Sequence, residues 1–183
     1  TNINQALYRV PNFNTKVNLL EQLLATRDEM TKILLFVSTK ALADELYERI
    51  KALYPEKIGV IHSNKDQNFR FNAVNRFQDG TFRMLIATDI IARGLDIEDV
   101  SHVINFDLPD EPQNYVHRIG RTGRADKKGE ALSLVGDLDM DWLTEIQAFM
   151  KFEIPVLTLP ETLEISDILT DAELPKINMK NVL

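Results

Sequence analysis

Cysteine is absent from all 183 residues, which excludes disulfides and thiolate chemistry and leaves the compartment open. Histidine occurs only three times, at scattered positions, so a structural zinc site is not expected. No apolar run approaches the roughly 20 residues that span a bilayer. Nothing at the start reads as a signal peptide. There is no G-x-x-x-x-G-K-[ST] loop to cradle a triphosphate. Asp-Glu pairs occur at 28–29, 44–45 and 110–111, but none directly ends an apolar strand, where a magnesium carboxylate is expected. Positive charge is also short: the net charge is −7, against a broad basic face for non-specific nucleic-acid binding.

What positive charge there is gathers in one place. Residues 117–128 hold three Arg and two Lys against one Asp, or +4, which leaves −11 for the rest. Within them runs His117-Arg118-Ile119-Gly120-Arg121-Thr122-Gly123-Arg124. Two glycines so close stop a helix, each costing about 1 kcal/mol against Ala in a helix interior. Arg118 then closes a helix, while Arg121 and Arg124 leave it on a loop. A guanidinium forks to match phosphate oxygens in pairs, so the stretch suits local phosphate contacts; a solvated basic loop is the plain alternative.

The length suits one domain with a real core. Apolar runs at 33–37, 58–61, 84–87, 103–106 and 131–135 read as strands, mostly buried on both faces. Between them fall helical patterns. Asn14 is the expected cap of the first, with Val17, Leu20, Leu23 and Leu24 inside. Ser38 or Thr39 caps the second, which buries Leu42, Leu46, Ile50 and Leu53. The third, near 66–78, packs through Phe69, Ala73 and Phe77. Asp110, with Pro112 and Gln113 following, opens the fourth in a capping-box pattern. The last, 138–150, carries the only Trp, Trp142. Repeated strand–helix alternation predicts a mostly parallel α/β sheet with helices on both faces. Residues 1–12 read as an edge strand or linker, 13–155 as the domain, and 156–183 as an acidic tail that lies on it, reaches a partner or is only partly ordered.

Ligands of open parallel sheets bind beyond the carboxyl ends of the strands. Ser38-Thr39-Lys40, His62-Ser63-Asn64, Thr88-Asp89 and Asp107 all fall there. Each hydroxyl alone reads equally as a helix cap; their common edge favours phosphate donors. Gln67 and Arg70 share a helix face, Arg70 meeting either an anion or a carboxylate such as Asp66. Asp96, in Arg93-Gly94-Leu95-Asp96, reads as an ion-pair partner of Arg93 or Arg118, or as an acceptor for a ribose.

HRIGRTGR resembles motif VI of the DEAD-box RNA helicases, and Ala87-Thr88-Asp89-Ile90-Ile91-Ala92-Arg93-Gly94-Leu95-Asp96-Ile97 resembles their motif V. Phe36-Val37-Ser38-Thr39-Lys40 is similar to motif IV and Arg76-Phe77-Gln78-Asp79-Gly80 to motif IVa. The resemblance covers roughly residues 1–155 and is to the second, C-terminal half of an enzyme of bacterial type. It implies a three-layer RecA-like domain and, in the full-length protein, an ATP-dependent RNA helicase. Arg121 and Arg124 would reach the ATP phosphates as catalytic groups, with Arg124 the arginine finger. Asp96 would contact the ribose, and Arg93 and Gly94 would join the ATP and RNA sites. Thr39, Gln67, Arg70 and Thr88 would hold the RNA backbone, supported by Asp89. His117 and Arg118 would couple motif VI to neighbouring motifs and the facing domain. One departure is Ser63, where the family usually has glycine. ATP and Mg2+ would be held mainly by an N-terminal RecA-like domain outside this sequence, so the isolated chain is expected to be inactive. The implied partners are RNA, bound without sequence preference, and that N-terminal domain; the chain alone is expected to be monomeric, cytoplasmic and independent of membranes. Two other readings are a non-enzymatic RecA-like interaction module and a flavodoxin-like small-ligand domain.

Overall fold

The computed structural model describes residues 2–89, 92, 94–123 and 126–175. Among them, seven strands form one sheet: β1 (Ile3–Arg9), β2 (Ile33–Phe36), β3 (Ile58–Ile61), β4 (Met84–Ala87), β5 (His102–Asn105), β6 (Gly129–Val135) and β7 (Val156–Leu157). Their order is β3-β4-β2-β5-β6-β1-β7, and every pairing is parallel. Five helices surround them: α1 (Phe13–Thr26), α2 (Lys40–Ile50), α3 (Gln67–Gln78), α4 (Pro112–Ile119) and α5 (Met140–Met150).

The three layers follow from the period of two along a strand. In β2, Ile33 and Leu35 join a core with α1 and α2, through Leu20, Leu23, Leu46 and Ile50. Leu34 and Phe36 join the opposite core with α3, α4 and α5, through Phe77, Tyr115 and Ile146. All four residues of β2 are buried, as a strand covered on both faces requires.

Several local expectations need correction. The cap of α1 is Asn12, whose side chain accepts from Thr15 N at 2.9 Å; Asn14 instead donates to Ile168 O at 2.8 Å. Helix α2 ends at Ile50, which leaves Leu53 exposed beyond it. Phe69 is exposed on α3, and Val74 takes the third core place beside Ala73 and Phe77. Helix α4 starts one residue after the expected point, with Glu111 in the cap position, Pro112 first in the helix and no side-chain cap bond.

Neither the first described residues nor the last stand apart from the domain. β1 is not at the edge: it pairs with β6 over seven residues and with β7 on its other side. The segment after β7 lies along α1 as far as Pro175. Asn12, Asn14, Asn18 and Gln22 donate to Ser166 O, Ile168 O, Glu164 O and Thr162 Oγ1, and Leu163 is buried against the α1 core.

Candidate nucleic-acid and nucleotide interface

The carboxyl ends of β2, β3, β4 and β5 each release a polar residue into one rim. Ser38, after β2, donates to Asp107 Oδ2 from its amide at 3.1 Å and its hydroxyl at 2.6 Å. Asp107 lies beyond the end of β5, and burial pushes its carboxyl upward against the Ser38 bonds and the Arg118 charge. Its Oδ1 is buried without a partner. Lys16 reaches the same region from α1, donating to Phe106 O at 2.8 Å, and burial lowers its pKa.

Thr39 caps α2, accepting from Leu42 N at 3.1 Å, so the cap reading holds for this hydroxyl and for its place at the rim alike. His62, beyond β3, is sealed from solvent. Its Nδ1 accepts from Asn64 N at 3.1 Å, which puts the ring proton of the neutral imidazole on Nε2, donating to Asp44 Oδ1 at 2.8 Å. Lys40 Nζ donates to Asn64 Oδ1 at 3.3 Å. These contacts fasten the loop before α3 to the first turns of α2. Ser63 is exposed on that loop.

Arg70 does not pair with Asp66, whose carboxylate caps α3 by accepting from Phe69 N at 2.8 Å. Its Nη2 donates to Gln67 Oε1 at 2.9 Å, and among the described residues it makes no ion pair. A guanidinium bonded only to a neutral amide keeps its charge available for an anion.

Arg118 is the hub of the arrangement. At 1% exposure its guanidinium donates to both oxygens of Asp89, each at 2.7 Å, and to Asp107 O at 2.8 Å and Asn105 Oδ1 at 3.3 Å. It also stands 5.2 Å from the Phe36 ring centre. The last turn of α4 is thereby locked to the loop after β4 and to the end of β5. Asp89 has both oxygens committed to this lock, so it supports the rim rather than facing an anion. Thr88, next to it, is buried at the end of β4. Asp96 does not pair with Arg118; its side chain is exposed, and Gln78 holds its carbonyl at 3.0 Å. Since Arg118 is sealed, only His117 of this pair is exposed towards a partner.

Below the rim, Arg121 grips the loop that carries Gly94 and Asp96. Its Nη1 donates to Leu95 O at 3.2 Å and Ile97 O at 3.3 Å, and its Nη2 to Ala92 O at 3.1 Å. The chain then turns through Gly123 at φ +77°, where a Cβ would stand 2.8 Å from Ile3 Cγ1. Arg93 and Arg124 lie outside the described residues. A concavity of about 620 Å³ opens at the opposite, amino-terminal ends of the strands, between Lys32, His102, Lys127 and Glu130, away from the rim. The sequence reading missed Asp44 and Asn105. Asn105 had one visible signal, a lone amide interrupting the apolar run of β5.

Residues 15–126, more than half of the chain, match the helicase conserved C-terminal domain family. RNA helicase CrhR of Synechocystis sp. is 42% identical over 160 residues, which are 87% of this chain and 32% of that protein. This chain belongs to the DEAD-box RNA helicase family, as its C-terminal domain. ATP-dependent RNA helicase DbpA of Bacillus subtilis is 40% identical over 166 residues, which are 90% of this chain and 34% of that protein. The chain therefore spans about a third of these curated relatives. Among solved structures, E. coli DEAD-box protein SrmB bound to regulator of ribonuclease activity A matches with a TM-score of 0.78 at 35% identity, over 87% of this chain and 95% of that one. S. cerevisiae Dbp5 bound to RNA and ADP BeF3 matches with a TM-score of 0.76 at 34% identity, over 85% and 41%. The all-parallel three-layer sheet is the RecA-like fold of these DEAD-box domains. Among the described residues no helix is long and apolar enough to cross a membrane, and no three carboxylate or imidazole groups converge as a metal site.

Proposed function

We propose that this domain is the C-terminal half of an ATP-dependent RNA helicase, acting in the cytoplasm, which supplies half of an RNA-backbone groove and the arginines that face ATP. The single observation that carries the reading is the pair of hydrogen bonds that Arg118 donates to Asp89, with Arg121 on the adjacent 92–97 carbonyls. It makes one rigid body of the rim and the loop bearing Gly94 and Asp96. A change at one is felt at the other, which is what coupling of ATP and RNA requires.

In this reading Thr39, Gln67, Arg70 and Thr88 hold phosphates of one RNA strand, with Asp89 behind them. Asp96 accepts from the ribose, Arg93 and Gly94 join the two sites, and Arg124 supplies the finger. Arg121 holds the 92–97 loop through three carbonyls and turns part of its charge to the ATP phosphates. His117 meets the facing N-terminal domain, which brings the triphosphate loop and the carboxylates for Mg2+. Arg118 stays inside as the coupler. Closure of the two domains over ATP and RNA bends one strand and parts a short duplex.

The isolated chain, a monomer, is expected to hydrolyse no ATP. Turnover at saturating RNA should appear on joining it to the N-terminal half. RNA-stimulated turnover by the chain alone, or none after joining, would reject the assignment; a domain that binds the N-terminal half without restoring turnover would be an interaction module.

A further inference from the structure

Helix α3 turns Ala73, Val74 and Phe77 into the core, yet it places two further phenylalanines in water. Phe71 is 64% exposed and Phe69 is 45% exposed. Phe71 stands four residues after Gln67, so it shares that side chain's face of the first turns, and Gln67 in turn holds Arg70 through its amide oxygen. Next to that face Arg70 keeps its charge available for an anion, since among the described residues it makes no ion pair, while the nearby carboxylates are engaged. Among the described residues the Arg70 guanidinium bonds only the Gln67 amide, while Lys65 belongs to the Phe69 flank, its Nζ 5.2 Å from that ring centre and 4.0 Å from Asp44. Asp66 is committed to the helix cap, and Asp44 accepts from His62. A flat apolar ring beside an available guanidinium matches the two halves of a nucleotide, base and phosphate.

We infer that Phe71 is a stacking platform for one RNA base, next to the phosphate held by Gln67 and Arg70. The inference rests on the RNA groove proposed above and adds a base contact to it. Stacking uses the π-face that every base has, so it strengthens binding without sequence preference. The occupant is a nucleotide of single-stranded RNA because the ring is continuous with the phosphate-binding face. Phe69 lies on the other flank of the helix, where it orients Lys65.

The test uses the whole chain and a single-stranded oligouridine carrying one 2-aminopurine, whose fluorescence falls on stacking. Unsubstituted chain should quench the probe. Phe71→Ala and Phe71→Leu should abolish the quenching and weaken affinity about tenfold, the low-to-middle range for loss of one stacked base. Phe71→Trp should retain both, and Phe69→Ala should change little. Leucine keeps apolar area without a π-face, so it separates stacking from simple burial. Thermal melts should be unchanged, because the ring lies outside the core. Arg70→Ala, run in parallel, should weaken binding uniformly across sequences and flatten its salt dependence. If Arg70→Ala weakens binding but Phe71→Ala does not, the groove stands and the platform is rejected. If no binding depends on Arg70, the groove fails and the platform with it. If Phe71→Ala impairs only association with the N-terminal half, the ring is a protein contact and the inference is overturned.

Discussion

Replacing Arg118 with methionine leaves four acceptors without their donor at once: two oxygens of Asp89, one carbonyl and one amide. Breaking a buried ion pair from one side costs about 3–5 kcal/mol, since the remaining charge stays desolvated. Arg118→Met should therefore lower the melting midpoint sharply, and chemical denaturation should show it, with Asp89→Asn milder because Asp89 is the more exposed partner. Arg124 should behave in the opposite way. In the complete two-domain enzyme, Arg124→Ala should cut ATP turnover at saturating RNA by about 10³–10⁵, or roughly 4–7 kcal/mol, and leave the melt unchanged. Lysine should rescue little, having charge without a planar fork. Near-normal turnover would pass the role to Arg121. Glu130 reports on acid stability. The hydrogen bond from His102, opposed by burial and reinforced by Arg27, pulls its carboxyl from 4.5 down to about 2. A carboxyl depressed on folding stabilises fully above its ordinary value, and the contribution disappears as pH falls through the folded one. Melting temperature should thus fall between pH 4.5 and about 2 in part through this group. Glu130→Gln should flatten that part of the profile.

At the scale of elements, the tail is a strap. Leu163 inserts beside α1 while Asn12, Asn14, Asn18 and Gln22 on that helix bind its backbone and side chains. Leu163→Ala should cost about 2 kcal/mol, the low end for a buried leucine, because a surface strap can settle into the space. A denaturant titration of the single variant reads it; a change within error would make the tail a passenger. Element types were legible in the sequence because buried parallel strands need unbroken apolar runs and the helices between them need periodic ones. Element ends were less so. Asn12 and Asn14 are the same residue type two positions apart, and only the backbone decides which one is extended and caps. Phe69 was misplaced because a phenylalanine four residues before Ala73 looks like core until the sheet shows which side it covers. Strand β7 was invisible, since a pair of residues has no period. At the site, the shared rim was legible from the position of polar residues after each strand. The burial of Arg118 was not: three arginines in a glycine-rich octet look alike until Asp89, Asn105 and Asp107 close around one of them.

Taken whole, the domain is an acidic body, which in the proposed reading limits its grip on RNA by itself. With −7 net charge, long-range attraction to a polyanion is weak, so in that reading affinity comes from local contacts and from the facing domain. The same economy appears in the sheet. Its edges are the short strands β3 and β7, while the long β1 is held between β6 and β7. That interior place has a consequence in time. Ile3–Arg9 leaves the ribosome ahead of its partner Gly129–Val135, which follows some 120 residues later. At synthesis rates of about 5–20 residues per second, β1 waits roughly 6–24 seconds with both edges unpaired. During that wait the nascent chain exposes an alternating apolar strand with nothing to pair with, and a chaperone that shields it would act on the interval before β6 emerges.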